Sequence, residues 1–511
     1  MPLLSHAGCL RPIPQGADTR TRHQRPPAQA KSSVNQARAK PASRPPRTQP
    51  VSLHVLNPNA AGIDVHADMH MVCVPADRVP PATTEASALP AHVRRFGANS
   101  CDLRAIADWL AECGVTTVAL ESTGVYWIPL FELLESRGFE VWLVEPGQLS
   151  RCGARPKTDV LDAQWIQRLH SYGLLLPSFR PADSVMALRG YHRQRQMQIR
   201  YAASHAQHMQ KALEQMNVKR TEVVSSITGL TGRRIIAAIL AGQRDPLQLA
   251  ALRDPNCKND VATIAKALEG TWRPEHLFAL QQTYDLYQFH HRQIAPCDEA
   301  IQAELAKLPN RAGDKTFTAK PRRCGRKPND LDFDACALLF QALGVDLTEI
   351  EGIDVGTALV ILAEIGVDVS RFPTEKHFAS WLGVCPRQHE SNHTKKKRRP
   401  RKGKNRVAIA LRMAAQALGR TQSPLGLFYR RIKSRIGGKG AVTATAHKLA
   451  VLVYRMLKYG REYVRRSMAE YQQKMREQLE RSLQRKAAAL GYELVRKPAS
   501  PAEPTVAAIL A

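Results

Sequence analysis

Between Asn59 and Pro146 the apolar residues come in short blocks separated by polar, glycine and proline positions. "AAGIDVHADMHMVCV" reads as two short strands about a turn, and "VTTVALEST" and "FEVWLVEP" hold continuous apolar runs of the kind a buried strand shows. Between these runs the spacing changes to that of helices. "LRAIADWLAECG" and "WIPLFELLESRG" carry apolar residues on one face, and each closes on a glycine, Gly114 and Gly138. Strands alternating with helices predict a mixed or parallel sheet with helices packed on it, an α/β domain over residues 56–180.

Beyond it the period lengthens into heptads. One seam runs Val185, Leu188, His192, Arg195, Ile199, Ala202, Ala206, Met209, Leu213, Met216, and a second runs from Leu277 through Tyr287, His291, Ile294, Asp298 and Ile301 to Leu308. Their spacing predicts a helical coiled-coil region over residues 181–308, its two seams pairing with each other or with a second copy. Residues 309–332 lose the period and gain charge, Gly and Pro, as a basic linker or insertion does. Helical texture returns over residues 333–465, with "EGIDVG" as the turn of a helix-hairpin-helix-like pair. A basic amphipathic helix and a Pro/Ala-rich tail occupy 466–511. The first 55 residues, rich in Pro and Arg with Asp18 their one acid, cannot bury enough apolar surface to fold and read as a disordered basic extension.

Charge narrows the class of partner. Over 511 residues, 74 Lys and Arg stand against 45 Asp and Glu, a formal +29. An excess of this size points to a polyanion, nucleic acid first. No apolar run approaches the roughly 20 residues of a spanning helix, so no membrane partner is expected. The ten cysteines form no CxxC pair, so neither a zinc site nor a disulfide framework is indicated, and a reducing cytoplasmic compartment fits.

Against that positive background four carboxylates stand out. Asp64 lies inside an apolar strand, where an acid is costly if unpaired. Glu121 follows the strand "VTTVAL", at the strand end where functional residues of α/β sheets collect. Asp159 and Asp162, in "KTDVLDAQWIQRL", are three apart at the front of an amphipathic helix and share a face. Alone, the pair reads as first-turn acids complementing the helix dipole. Together the four make a set that a hard divalent cation neutralises, with Lys157 and His66 placed to orient phosphate or water.

These acids, D in "GIDVH", E in "ALESTGVYW" and DxxD in "KTDVLDA", resemble the DEDD signature of bacterial insertion-sequence transposases of the one-hundred-and-ten type. "GTALVILAEIG", "RFPTEKHFASWLGVCP", "SPLGLFYRRIK" and "TATAHKLAVLVYRMLKYG" resemble the C-terminal domain of that family in the same order. The resemblance covers most of Asn59 to Tyr463. It implies an RNase H-like (RuvC-like) first domain and a mostly α-helical C-terminal transposase domain. It also implies Mg²⁺ (or Mn²⁺) held by Asp64, Glu121, Asp159 and Asp162.

The same resemblance brings in Ser391, just beyond Cys385-Pro386, as a nucleophile that forms a 5′-phosphoseryl-type intermediate with DNA. The family follows this serine with two glycines; here Asn392 and His393 stand there, and His389 also lies close in sequence. Next comes a run without one acid, whose Lys395, Lys396, Lys397, Arg398, Arg399, Arg401, Lys402, Lys404 and Arg406 suit a flexible arm laid along phosphates. DNA at element ends and target, a structured guide RNA and a homo-oligomer of two to four copies are the implied partners. The serine of one copy would face the acids of another, in a bacterial protein working at the nucleoid. Two other readings remain: a metal-dependent junction nuclease using water, and a nucleic-acid-binding protein without catalysis.

Overall fold

Five short strands make the sheet, four of them in the apolar blocks and β3 outside them: β1 (Ala60–Val65), β2 (Met69–Cys73), β3 (Val93–Gly97), β4 (Thr117–Glu121) and β5 (Glu140–Val144). The computed structural model describes residues 54–79, 89–122, 124–150, 158–219, 226–255, 257, 259–318, 329–385, 390–391, 394–395 and 405–495. Strand order is β3-β2-β1-β4-β5; β1–β2 and β2–β3 are antiparallel, and β1–β4 and β4–β5 are parallel. This mixed sheet with helices on both faces is the RNase H-like arrangement. Most of the predicted basic extension and the end of the Pro/Ala tail lie outside the described residues.

Every residue of β1 is buried, as befits the central strand. Alternation sends Ala61, Ile63 and Val65, with Val118 and Leu120 of β4, to one face. There they meet Leu103, Ile106 and Leu110 of α1 (Ser100–Glu112) and Leu130 and Leu134 of α2 (Trp127–Ser136). On the opposite face Ala119 and Val144 pack with Leu149 of the short α3 (Pro146–Leu149) and with Ile166 and Leu169 of α4 (Asp159–Ser171). The antiparallel edge strand β3 is absent from the apolar pattern because only Val93 is buried, while Arg94 and Arg95 are exposed. Charged residues on an edge also discourage pairing with another chain.

The chain divides into two compact units between Ser178 and Phe179. The second is built on α5 (Asp183–Gln215), a 33-residue helix. Its seam packs within the chain. Val185 and Leu188 join Ile301 and Leu305, while Met209 and Leu213 join Leu280 and Tyr287. The second seam is two helices, α9 (Pro274–Arg292) and α10 (Ile294–Lys307), rather than one. Pro296 has no N–H to donate, and its ring would clash with the Arg292 carbonyl in a continuous helix. Between α5 and α9, α6 (Leu230–Leu240), α7 (Pro246–Ala251) and α8 (Val261–Ala267) close a small core of their own over Met209 and Met216.

Two polar members of these seams meet each other. Arg195 and Asp298, 3% and 2% exposed, form a two-point ion pair whose second bond, Nη2 to Oδ2, is 3.2 Å. Arg195 Nη2 also donates to the carbonyls of Asn329 and Asp330, and the Asp332 amide donates to Asp298. The end of the 309–332 segment is thereby tied to the seam, while residues 319–328 lie outside the described residues.

The C-terminal helices are α11 (Ala335–Leu343), α12 (Val355–Ile365), α13 (Glu375–Trp381), α14 (Arg406–Leu418), α15 (Pro424–Tyr459) and α16 (Arg461–Ala489). Leu339, Ile361, Leu362, Phe378, Leu411, Leu449 and Val453 share one core, and the buried Tyr454 donates its hydroxyl to the Phe372 carbonyl at 2.7 Å. The turn "EGIDVG" is present, with Gly352 at φ +87° and Asp354 capping α12 through the Thr357 amide. Its first arm is a single 3-10 turn, Leu347–Glu349, because α11 already stops at the left-handed Gly344. α15 breaks at Gly437, φ +79°. Lys448 Nζ lies 5.2 Å from the ring centroid of Phe428, whereas twenty residues of straight helix would hold them about 30 Å apart. The two arms of α15 therefore double back on each other. Among the described residues no helix is long and apolar enough to cross a membrane.

Candidate active site

Asp64 and Gly62 lie on the sheet face that α4 covers, since both alternate with the inward set Ala61, Ile63 and Val65. α4 approaches β1 so closely that a Cβ on Gly62 would overlap the Gln167 backbone nitrogen and stand 2.7 Å from the Ala163 carbonyl oxygen. Gln167 Nε2 donates to the Ala60 carbonyl at 3.2 Å and pins the helix along the strand. Thr158 caps the helix, its hydroxyl accepting from the Leu161 amide at 3.2 Å. The first turn of α4, with Asp159 and Asp162, is thus brought to the end of β1.

His66 Nε2 donates to Asp64 Oδ2 at 3.1 Å and lies 3.6 Å from Asp159 Oδ1. One ligand atom from each of Asp64, His66 and Asp159 falls within 4.8 Å of the others, a grouping that fits a metal ion. Asp64 is 6% exposed, and burial raises its pKa above the usual carboxylate range. His66 opposes the rise, while the negative charges of Asp162 and Asp159 add to it. Carboxylate oxygens suit a hard cation such as Mg²⁺ or Mn²⁺, and a cation here would relieve a buried charge that repulsion now penalises.

Of the four acids singled out from sequence, Asp64 and Asp159 stand in this group, and Asp162 is near enough to act on Asp64 electrostatically. Glu121 ends β4, and the Ile63–Leu120 register places it at the next position beside Asp64, half-buried and outside the three-residue group. His66, which the sequence suggested only for orienting phosphate or water, is the residue that joins the two aspartates. The signal for it was there: Asp64 and His66 are two apart at a strand end and so share a face. Lys157 lies outside the described residues. Replacing Gly62 by Ala is expected to lift α4 from β1, costing about 1–3 kcal/mol by overpacking and parting Asp159 from Asp64. Thermal melting together with divalent-ion titration checks this; an unchanged ion affinity would show that α4 docking does not set the site.

Residues 61–218 match a family model of DEDD transposases, described as transposase, and residues 346–430 match the one described as transposase IS116/IS110/IS902 family. Both units of the chain thus carry matches that support a transposase of this type. No curated protein matches it.

The transposase carries Ser391 in its second unit, in a two-stranded hairpin of β6 (Glu390–Ser391) and β7 (Thr394–Lys395), with Ser391 opposite Thr394. His389, Asn392, His393 and the basic residues from Lys396 to Lys404 lie outside the described residues. Arg406, the last of the basic run, is the first residue of α14, behind the cap that Asn405 makes to the Ala408 amide at 3.1 Å. Its Nε lies 3.5 Å from Glu364 Oε1, so this arginine belongs to a folded ion cluster.

Proposed function

We propose that this transposase excises and inserts its own element by divalent-metal-dependent strand cleavage, with Ser391 as the nucleophile and a structured RNA choosing the target. The observation that carries the reading is the Asp64–His66–Asp159 grouping, with Asp64 buried and Asp159 open to solvent, at the sheet end of the part of the chain that matches DEDD transposases. Asp64 and Asp159 would hold the ion, with Glu121 and Asp162 flanking them and His66 as a further ligand or proton acceptor. Bound Mg²⁺ or Mn²⁺ supplies Lewis-acid stabilisation of charge developing on the scissile phosphate. The serine Oγ forms a bond to phosphorus as the phosphorus–oxygen bond to the departing strand breaks, and the serine proton ends on the departing oxygen.

Support for RNA guidance is the resemblance together with the +29 charge, since base pairing can supply sequence while Lys and Arg grip the backbone by shape. Assembly into two to four copies belongs to the same reading, as do the domain limits 56–180, 181–308 and 333–465. A denaturing gel tests the chemistry. Protein, Mg²⁺, labelled element-end DNA and RNA transcribed from the element flanks are incubated with Asp159→Ala and Ser391→Ala in parallel. A labelled protein–DNA adduct abolished by both substitutions is expected. Nicked DNA that survives Ser391→Ala but not Asp159→Ala would assign the cut to water and overturn the serine step.

A further inference from the structure

Glu364, next to last in α12, is 6% exposed and gathers three arginines from two other helices. Arg193 of α5 grips it at two points, Nε to Oε1 at 2.9 Å and Nη2 to Oε2 at 2.7 Å. Arg189, one turn earlier on the same helix face, donates Nε to Oε2 at 3.1 Å. Arg406 of α14 completes the set from the Oε1 side at 3.5 Å. The three guanidiniums hold the Glu364 carboxyl below its ordinary range despite its burial, so it is ionised. His192, buried between Arg189 and Arg193 in sequence, is driven by burial down to about 4 and adds no charge at neutral pH.

Three permanent cations therefore face one anion. A cluster built only for packing would need one cation for one carboxylate, because each surplus guanidinium brings repulsion and desolvation without a partner. That repulsion is present: burial lowers the Arg189 pKa, and the charges of Arg193 and Arg406 lower it further. Arg189 spends one and Arg193 two of its five N–H groups on Glu364, and Arg406 stands 3.5 Å off as an ion pair. Arg193 and Arg406 keep 39% and 38% of their side-chain surface open to solvent, so their unused donors are reachable from outside. Arg406 also opens α14, whose unsatisfied amides add positive potential at the same place. Planar forks with a surplus of two charges match the oxygens of a phosphodiester.

We propose that Arg189, Arg193 and Arg406, gathered on the buried Glu364, form a cradle for one backbone phosphate of the nucleic acid that the transposase holds. Glu364 is a positioning residue: its carboxylate fixes the forks and leaves the ligand to the arginines. The cradle rests on the reading of this chain as a nucleic-acid-handling transposase, and adds to it a fixed anchoring point in the second unit.

The test is the salt dependence of binding by the full chain, measured by fluorescence anisotropy with a labelled DNA duplex and, separately, an RNA duplex of equal length. Arg193→Gln and Arg406→Gln, on different helices, are each expected to lower the slope of log Kd against log salt by about 1 in the arm whose backbone the cradle holds. Arg193→Lys keeps the charge and is expected to restore the slope while losing the fork's share of the affinity. Arg104→Gln, exposed on α1, controls for the loss of any one positive charge. Unchanged slopes for both cluster variants in both arms overturn the cradle, as does a fall in melting temperature without a change of slope, which would assign the cluster to packing. Failure of the unaltered protein to bind either duplex would sink the nucleic-acid reading itself.

Discussion

Asp64→Asn is expected to slow strand cleavage by about 10³-fold, the scale seen when one preorganised electrostatic contact to developing charge is removed, and to leave the protein as stable as before or more so. The two effects come from one cause. Asp64 is buried beside two further aspartates, and its pKa is raised by burial and by their charges. A carboxyl raised on folding is penalised when ionised. Its share of stability is fully present below the unfolded value of about 3.9 and is lost as pH rises through the higher folded value. At neutral pH the ionised side chain therefore costs folding free energy, and asparagine removes that cost while keeping the shape. Initial cleavage rates in Mg²⁺, and melting curves from pH 4 to 8 in chelator, for both proteins, check this. The melting temperatures should separate in favour of the variant as pH rises. A variant that loses stability at every pH would mean that Asp64 is there for packing.

Asp298→Ala carries the largest expected loss of stability, about 3–5 kcal/mol, because it leaves the Arg195 guanidinium buried without its counter-charge. The damage should spread. Arg195 also holds the Asn329 and Asp330 carbonyls, and Asp298 accepts from the Asp332 amide, so the seam and the end of the 309–332 segment loosen together. Asp298→Asn, which keeps two hydrogen-bonding atoms, should cost less. Urea unfolding followed by circular dichroism measures both. A loss below about 1 kcal/mol for the alanine variant would show that water reaches Arg195 and that the pair is not sealed.

The outline of both units was legible because burial and period coincide in them. β1, β4 and β5 are apolar on both faces, and the heptad positions of α5, α9 and α10 are mostly the buried ones. Even the polar seam members had meaning, since Arg195 and Asp298 occupy heptad positions and find each other there. What stayed hidden depends on distance in sequence. β3 carries two arginines and declares itself only as the partner of β2. The Asp64–Asp159 juxtaposition depends on Gly62 admitting α4, and an isolated glycine in a strand does not say what will approach it. Glu364 sits in the apolar run "VILAEIG", where nothing in sequence announces three arginines, two of them over 170 residues away.

The acids at the end of β1 and at the start of α4 are separated by most of the first unit, and only the docking of α4 unites them. In the growing chain β1 and β4 are both made before Asp159. A chain that ends before α4 lacks Asp159 and with it the three-residue grouping. On the reading proposed above, the capacity to hold the metal ion is then among the last properties this unit acquires during synthesis.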